Sequence, residues 1–108
     1  MSFVSAHVLD AGMGVPATGV EIVLTDPSGE TLGTAVTNDD GRVGDLGPDV
    51  LDPGNYRVSF ATGVYFAASQ RETFFPNVTV EFTVVAGERH YHVPLLLSPY
   101  SYTTYRGS

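Results

Sequence analysis

An all-β domain folded as a two-sheet β-sandwich is expected of this chain, and three observations support it. Its 12 glycines and 7 prolines among 108 residues fall between short runs of alternating apolar character, the pattern of strands joined by tight turns. The clearest run, residues 77–84, sets Val78, Val80, Phe82 and Val84 on one side and Asn77, Thr79, Glu81 and Thr83 on the other. That is the period of a half-buried strand. Only residues 64–72 combine helix formers with an absence of Gly and Pro, so one short helix is expected, placed before Phe74-Phe75-Pro76.

In chain order, residues 3–9 form the first run, with Phe3, Ser5, His7 and Leu9 on a common face. Runs at 20–25 and 31–37 are separated by Asp26-Pro27-Ser28-Gly29, and Asn38-Asp39-Asp40-Gly41 closes the second of them; both tetrapeptides carry turn chemistry. Residues 42–46 offer a short additional strand, followed by runs at 55–61, 77–84, 90–97 and 100–105. Seven or eight strands at this spacing pack most simply as two antiparallel sheets around a shared core. A chain of 108 residues without repeats is expected to form a single domain, 1–108.

Composition removes several kinds of function. There is no cysteine, hence no disulfide, thiolate metal site or cysteine nucleophile. The five basic residues are all arginines (Arg42, Arg57, Arg71, Arg89 and Arg106), so lysine Schiff-base chemistry is absent too. A formal net charge of −7 disfavours nucleic acid, because a surface that repels phosphate gains nothing from counterion release. No stretch approaches the ~20 apolar residues that span a bilayer, and the first residues lack the basic-then-apolar pattern of a secretory leader. A cytoplasmic location is the expectation, with no membrane partner.

The last four residues, Tyr105-Arg106-Gly107-Ser108, follow an apolar and β-favouring stretch and are not the small polar tail of a frayed end. A packed end rich in polar side chains points to a site. Upstream, His90 and His92 share a strand face. Two such imidazoles suit zinc if a third ligand, such as His7, joins them, and suit surface or cross-strand packing equally well. Arg42, delivered by the 38–41 turn, reads either as an exposed ion-pair partner or as a bidentate anchor for an anionic or carbonyl-rich ligand. Arg106 has the same two readings. The tyrosines at 100, 102 and 105 read as cross-strand aromatic filler when taken alone.

The run from His90 to Ser108, His-Tyr-His-Val-Pro-Leu-Leu-Leu-Ser-Pro-Tyr-Ser-Tyr-Thr-Thr-Tyr-Arg-Gly-Ser, resembles the C-terminal signature of the transthyretin-related 5-hydroxyisourate hydrolases. Ala6-His7-Val8-Leu9-Asp10 is similar to that family's first-strand motif, and Thr37-Asn38-Asp39-Asp40-Gly41-Arg42 to its arginine-presenting turn. Glu72-Thr73-Phe74-Phe75-Pro76 resembles the segment leading into its next strand. The resemblance spans the chain and implies a transthyretin-like sandwich, a homotetramer formed as a dimer of dimers, and sites in the clefts between dimers. It implies hydrolysis of 5-hydroxyisourate to 2-oxo-4-hydroxy-4-carboxy-5-ureidoimidazoline in urate degradation, with no metal or organic cofactor.

On that resemblance His7, Arg42, His92 and Ser108 are the expected catalytic residues, with Tyr105 and Arg106 joining His7 and Arg42 in substrate binding. Opening a cyclic amide takes a water, a base titrating near neutrality and donors for the developing oxyanion. His92 is the expected base and His7 its positioning partner; Ser108 orients water or relays a proton, while His90 stands outside the chemistry. Other readings are a transthyretin-like small-ligand carrier, an adhesive sandwich and a zinc protein.

Overall fold

The computed structural model describes residues 2–108. Strands β1 (Val4–Asp10), β2 (Val15–Pro16), β3 (Glu21–Thr25), β4 (Thr31–Val36), β5 (Arg42–Val43) and β6 (Gly54–Phe60) are followed by helix α1 (Thr62–Ala68) and strands β7 (Val78–Val84), β8 (Tyr91–Ser98) and β9 (Ser101–Thr104). They form two sheets, one ordered β2-β1-β8-β9 with β5 also on β1, the other β4-β3-β6-β7. The two-sheet sandwich with one short helix is as expected.

Three details differ from the sequence reading. Among the described residues there are nine strands, not seven or eight, because β2 pairs Val15 with Asp10 and Pro16 with Leu9. A two-residue strand containing proline has no alternation to detect. The 42–46 run shortens to Arg42–Val43, and the helix starts earlier than 64 and stops before 72. Gly63 permits the early start: a Cβ there would lie 2.7 Å from the Pro76 carbonyl oxygen.

The third difference is direction. β1 and β8 run parallel, from Val4 opposite Tyr91 to Asp10 opposite Leu97, so the larger sheet is mixed and not purely antiparallel. Side chains alternate with period two in either direction, and alternation therefore carries no information on polarity. The whole second sheet lies in the connection between these two strands.

Inner-face residues of both sheets make one core in which Val4, Val8, Ile22, Leu24, Val58, Phe60, Leu95 and Leu97 are fully buried, joined by Phe66 of α1. Each such side chain contributes about 1.5–3 kcal/mol relative to exposure. At one end of β1 the fully buried Asp10 receives Arg71 Nη2 at 2.6 Å, Tyr65 Oη at 2.7 Å and the Met13 amide at 3.0 Å. Burial pushes this carboxyl up, but the hydrogen bonds from Arg71, Tyr65 and Met13, with the Arg71 charge, outweigh it and hold it below the ordinary 3.8.

Asp10→Ala should therefore cost about 3 kcal/mol, the lower end of the range for breaking a buried pair because Arg71 keeps contact with water. Urea denaturation at neutral pH is the measurement. A carboxyl held low in the folded state stabilises above its unfolded pKa and loses that contribution as pH falls through the folded value. The two proteins should converge in acid, and an unchanged urea midpoint at neutral pH would show that the pair contributes nothing.

Candidate active site

The alternation that buries Val4, Ala6 and Val8 of β1 turns Ser5 and His7 outward, and on β8 it buries Val93, Leu95 and Leu97 while turning His92 outward. Register then gathers them. The parallel pairing sets Ser5 opposite His92, and the antiparallel pairing of β1 with β5 sets His7 opposite Arg42. Four polar side chains from three strands thus share the outer face of the larger sheet.

The turn before β5 is built by its own residues. Asn38 Oδ1 accepts from the amides of Asp40 at 2.9 Å and Arg42 at 3.0 Å, and the Gly41 amide donates to the Asn38 carbonyl at 2.8 Å. Gly41 takes φ +73 and passes so close to the Val8 carbonyl that a Cβ would lie 2.2 Å from its oxygen. Only glycine fits both demands. His7 is tied to the same turn: its Nε2 lies 2.9 Å from the Asp40 carbonyl oxygen, which can only accept, so His7 carries its proton there.

The chain end supplies the remaining wall. Gly107 makes an isolated antiparallel bridge to His92, its amide donating to the His92 carbonyl at 2.9 Å. A Cβ on Gly107 would lie 2.5 Å from His92 Cδ2, so the imidazole rests directly against the backbone of the tail. Ser108 is thereby set at the rim of a solvent-open depression of about 270 Å³, lined also by Ser5, Arg42, Val43, Gly44 and His92. His92 is half-buried there. Burial first, then the charge of Arg42 and the neighbouring imidazoles of His7 and His90, lower its pKa below the ordinary 6.5, which favours the neutral ring at neutral pH.

The expected site residues are not all brought together. Arg42, His92 and Ser108 line one depression, and His7 flanks it through its pairing with Arg42. Tyr105 and Arg106 point elsewhere in the single chain, lining a separate depression of about 320 Å³ with Phe82 and Tyr91. Arg106 stacks 4.5 Å above the Tyr91 ring and pairs with Glu88 at 3.3 Å. Within one chain Arg106 holds the course of the tail through these two contacts.

His90 and His92 do share a face, both in contact with the hydroxyl of Ser5. Among the described residues, no three His, Cys, Asp or Glu side chains are gathered as a metal site requires. Sequence reasoning gave Ser5 no role, although its position two residues before His7 on the same strand face was the available signal.

Residues 4–107 match the HIUase/Transthyretin family. A 5-hydroxyisourate hydrolase of Salmonella dublin is 49% identical over 111 aligned positions, covering 99% of this chain and 82% of the relative. Among solved structures, Klebsiella pneumoniae 5-hydroxyisourate hydrolase superimposes with a TM-score of 0.91 at 38% identity, covering 99% of this chain and all of that one. Sea bream transthyretin in complex with thyroxine superimposes with a TM-score of 0.90 at 32% identity, covering 97% of this chain and 94% of that one. With the family matched along nearly its whole length and near-complete superposition on two solved relatives, the chain belongs to the HIUase/Transthyretin family.

Proposed function

We propose that this chain hydrolyses 5-hydroxyisourate to 2-oxo-4-hydroxy-4-carboxy-5-ureidoimidazoline, its Salmonella and Klebsiella relatives being named 5-hydroxyisourate hydrolases. One observation carries the reading: a half-buried imidazole, its pKa lowered by burial and by Arg42, stands beside a guanidinium and a hydroxyl in one open depression. A carrier has no use for a base held in its unprotonated form.

In the mechanism that follows from this arrangement, His92 takes a proton from water as the water oxygen adds to the ring carbonyl. Arg42 donates hydrogen bonds to the oxygen on which negative charge develops. The carbon–nitrogen bond of the cyclic amide then breaks, and the proton held by His92 passes to the leaving nitrogen. His7 positions substrate or water at the edge of the depression, and Ser108 orients the water. Tyr105 and Arg106 serve substrate binding, and Arg106, held by Tyr91 and Glu88, also keeps the tail, and so Ser108, in place.

The depression lies on the outer face of the larger sheet, next to an apolar surface formed by Leu9, Val15, Pro16 and Leu96. Such a face suits burial against a second dimer, and the proposed assembly is a homotetramer with the depression as half of an intersubunit cleft. No helix among the described residues is long and apolar enough to cross a membrane. The proposed location is cytoplasmic.

The test generates 5-hydroxyisourate with urate oxidase and follows its ultraviolet decay with protein dialysed against a chelator, its mass fixed by light scattering. Faster decay, yielding one product enantiomer from a four-chain species, is expected. Decay at the uncatalysed rate would leave the carrier reading, and activity restored only by added zinc would overturn the metal-free mechanism.

A further inference from the structure

Ser5 lines the depression but has no part in the chemistry above. Its Oγ lies 2.7 Å from Nδ1 of His92 and 2.9 Å from Nε2 of His90. A hydroxyl has one proton, so it donates to one ring and accepts from the other. If it donates to His92, the neutral His92 ring carries its proton on Nε2 and has no base to offer there. If it accepts from His92, that ring carries its proton on Nδ1 and Nε2 keeps a free lone pair.

Geometry and charge select the second arrangement. Cδ2 of His92 abuts Gly107, and Nε2 adjoins Cδ2 in the ring, so the Nε2 edge faces the tail that bears Ser108. Arg42 lines the same depression, and a guanidinium favours a lone pair over an N–H dipole pointing into the space they share. The second arrangement also persists through the reaction. Once Nε2 takes a proton, Nδ1–H already points at the Ser5 oxygen, whereas in the first arrangement the new N–H would meet the Ser5 O–H head on.

We propose that Ser5 is a positioning residue: it accepts a hydrogen bond from Nδ1–H of His92 and donates its own proton to Nε2 of the exposed His90, which holds His92 in the tautomer that leaves Nε2 free. His90 is the acceptor that ends the chain and touches no substrate. The kinetic consequence rests on His92 acting as the base. The tautomer itself does not.

The experiment uses the full chain labelled with ¹⁵N-histidine, its imidazole signals assigned with H90A and H92A. Long-range ¹H–¹⁵N correlation distinguishes a protonated from an unprotonated ring nitrogen. His92 should show a protonated Nδ1 and a bare Nε2, and S5A should lose that preference. In the 5-hydroxyisourate assay S5A should lower kcat by about 10-fold, the scale of one hydrogen bond, with KM little changed. S5T, which keeps the hydroxyl, should recover most of both signals. A wild-type His92 protonated at Nε2, or the same tautomer in S5A as in wild type, would overturn the proposal. If the expected tautomer appears in a protein without turnover, the hydrolase reading fails and the positioning of His92 by Ser5 stands.

Discussion

His92→Ala should lower turnover of 5-hydroxyisourate by about 100-fold or more, the scale of losing a general base. Arg42→Ala should fall in the same range through loss of an oxyanion donor. His90→Ala should cost far less, because it contacts the Ser5 hydroxyl from an exposed position outside the depression. Steady-state kinetics on the three folded variants decides the point, and equal losses at His90 and His92 would refute the assignment between them.

The same residue sets the pH dependence. A base must be unprotonated to act, and burial, the charge of Arg42 and the neighbouring imidazoles of His7 and His90 hold His92 below 6.5. Activity is therefore retained through neutrality and lost as pH falls through that lowered value. Its acid limb should lie below the midpoint of an ordinary imidazole, and a limb above 6.5 would contradict the environment described for this ring.

Gly107→Ala should be almost as damaging, although position 107 has no functional group. The added Cβ would lie 2.5 Å from Cδ2 and 3.1 Å from Cγ of His92, closer than a side-chain carbon tolerates, so the ring or the tail must move. A displacement of about 1 Å at a reacting group is worth roughly a hundredfold in rate. Ending the chain after Thr104 should produce a comparable loss by removing Ser108 and the backbone that supports the ring. Both variants should stay folded with at most a small drop in urea midpoint, since the tail beyond β9 contributes an isolated bridge, the Arg106–Glu88 pair and the stack of Arg106 on Tyr91. Full activity in either would take the tail out of the site. A collapsed midpoint would show the tail to be part of the fold.

Much of the architecture was legible in the residues because alternation and turn chemistry are local. Val78 to Val84 could bury one face only as a strand, and Asn38 to Gly41 could close only as a turn, with Asn38 capping the amides and Gly41 supplying the positive φ. These same features placed His7, Arg42 and His92 on strands or at a turn before any contact was known. Short or proline-bearing pieces such as β2 were not legible, since two residues have no period.

What the chain determined by itself is which residues face outward and what chemistry they carry. Which outward residues meet was decided by tertiary structure alone. Parallel pairing of β1 with β8 sets Ser5 against His92, β5 brings Arg42 to His7, and the returning tail lays Gly107 against His92 while taking Tyr105 and Arg106 to another depression. The physical reason is that strand direction, register and the path of the tail depend on contacts between residues far apart in sequence, and a period of two is blind to all three.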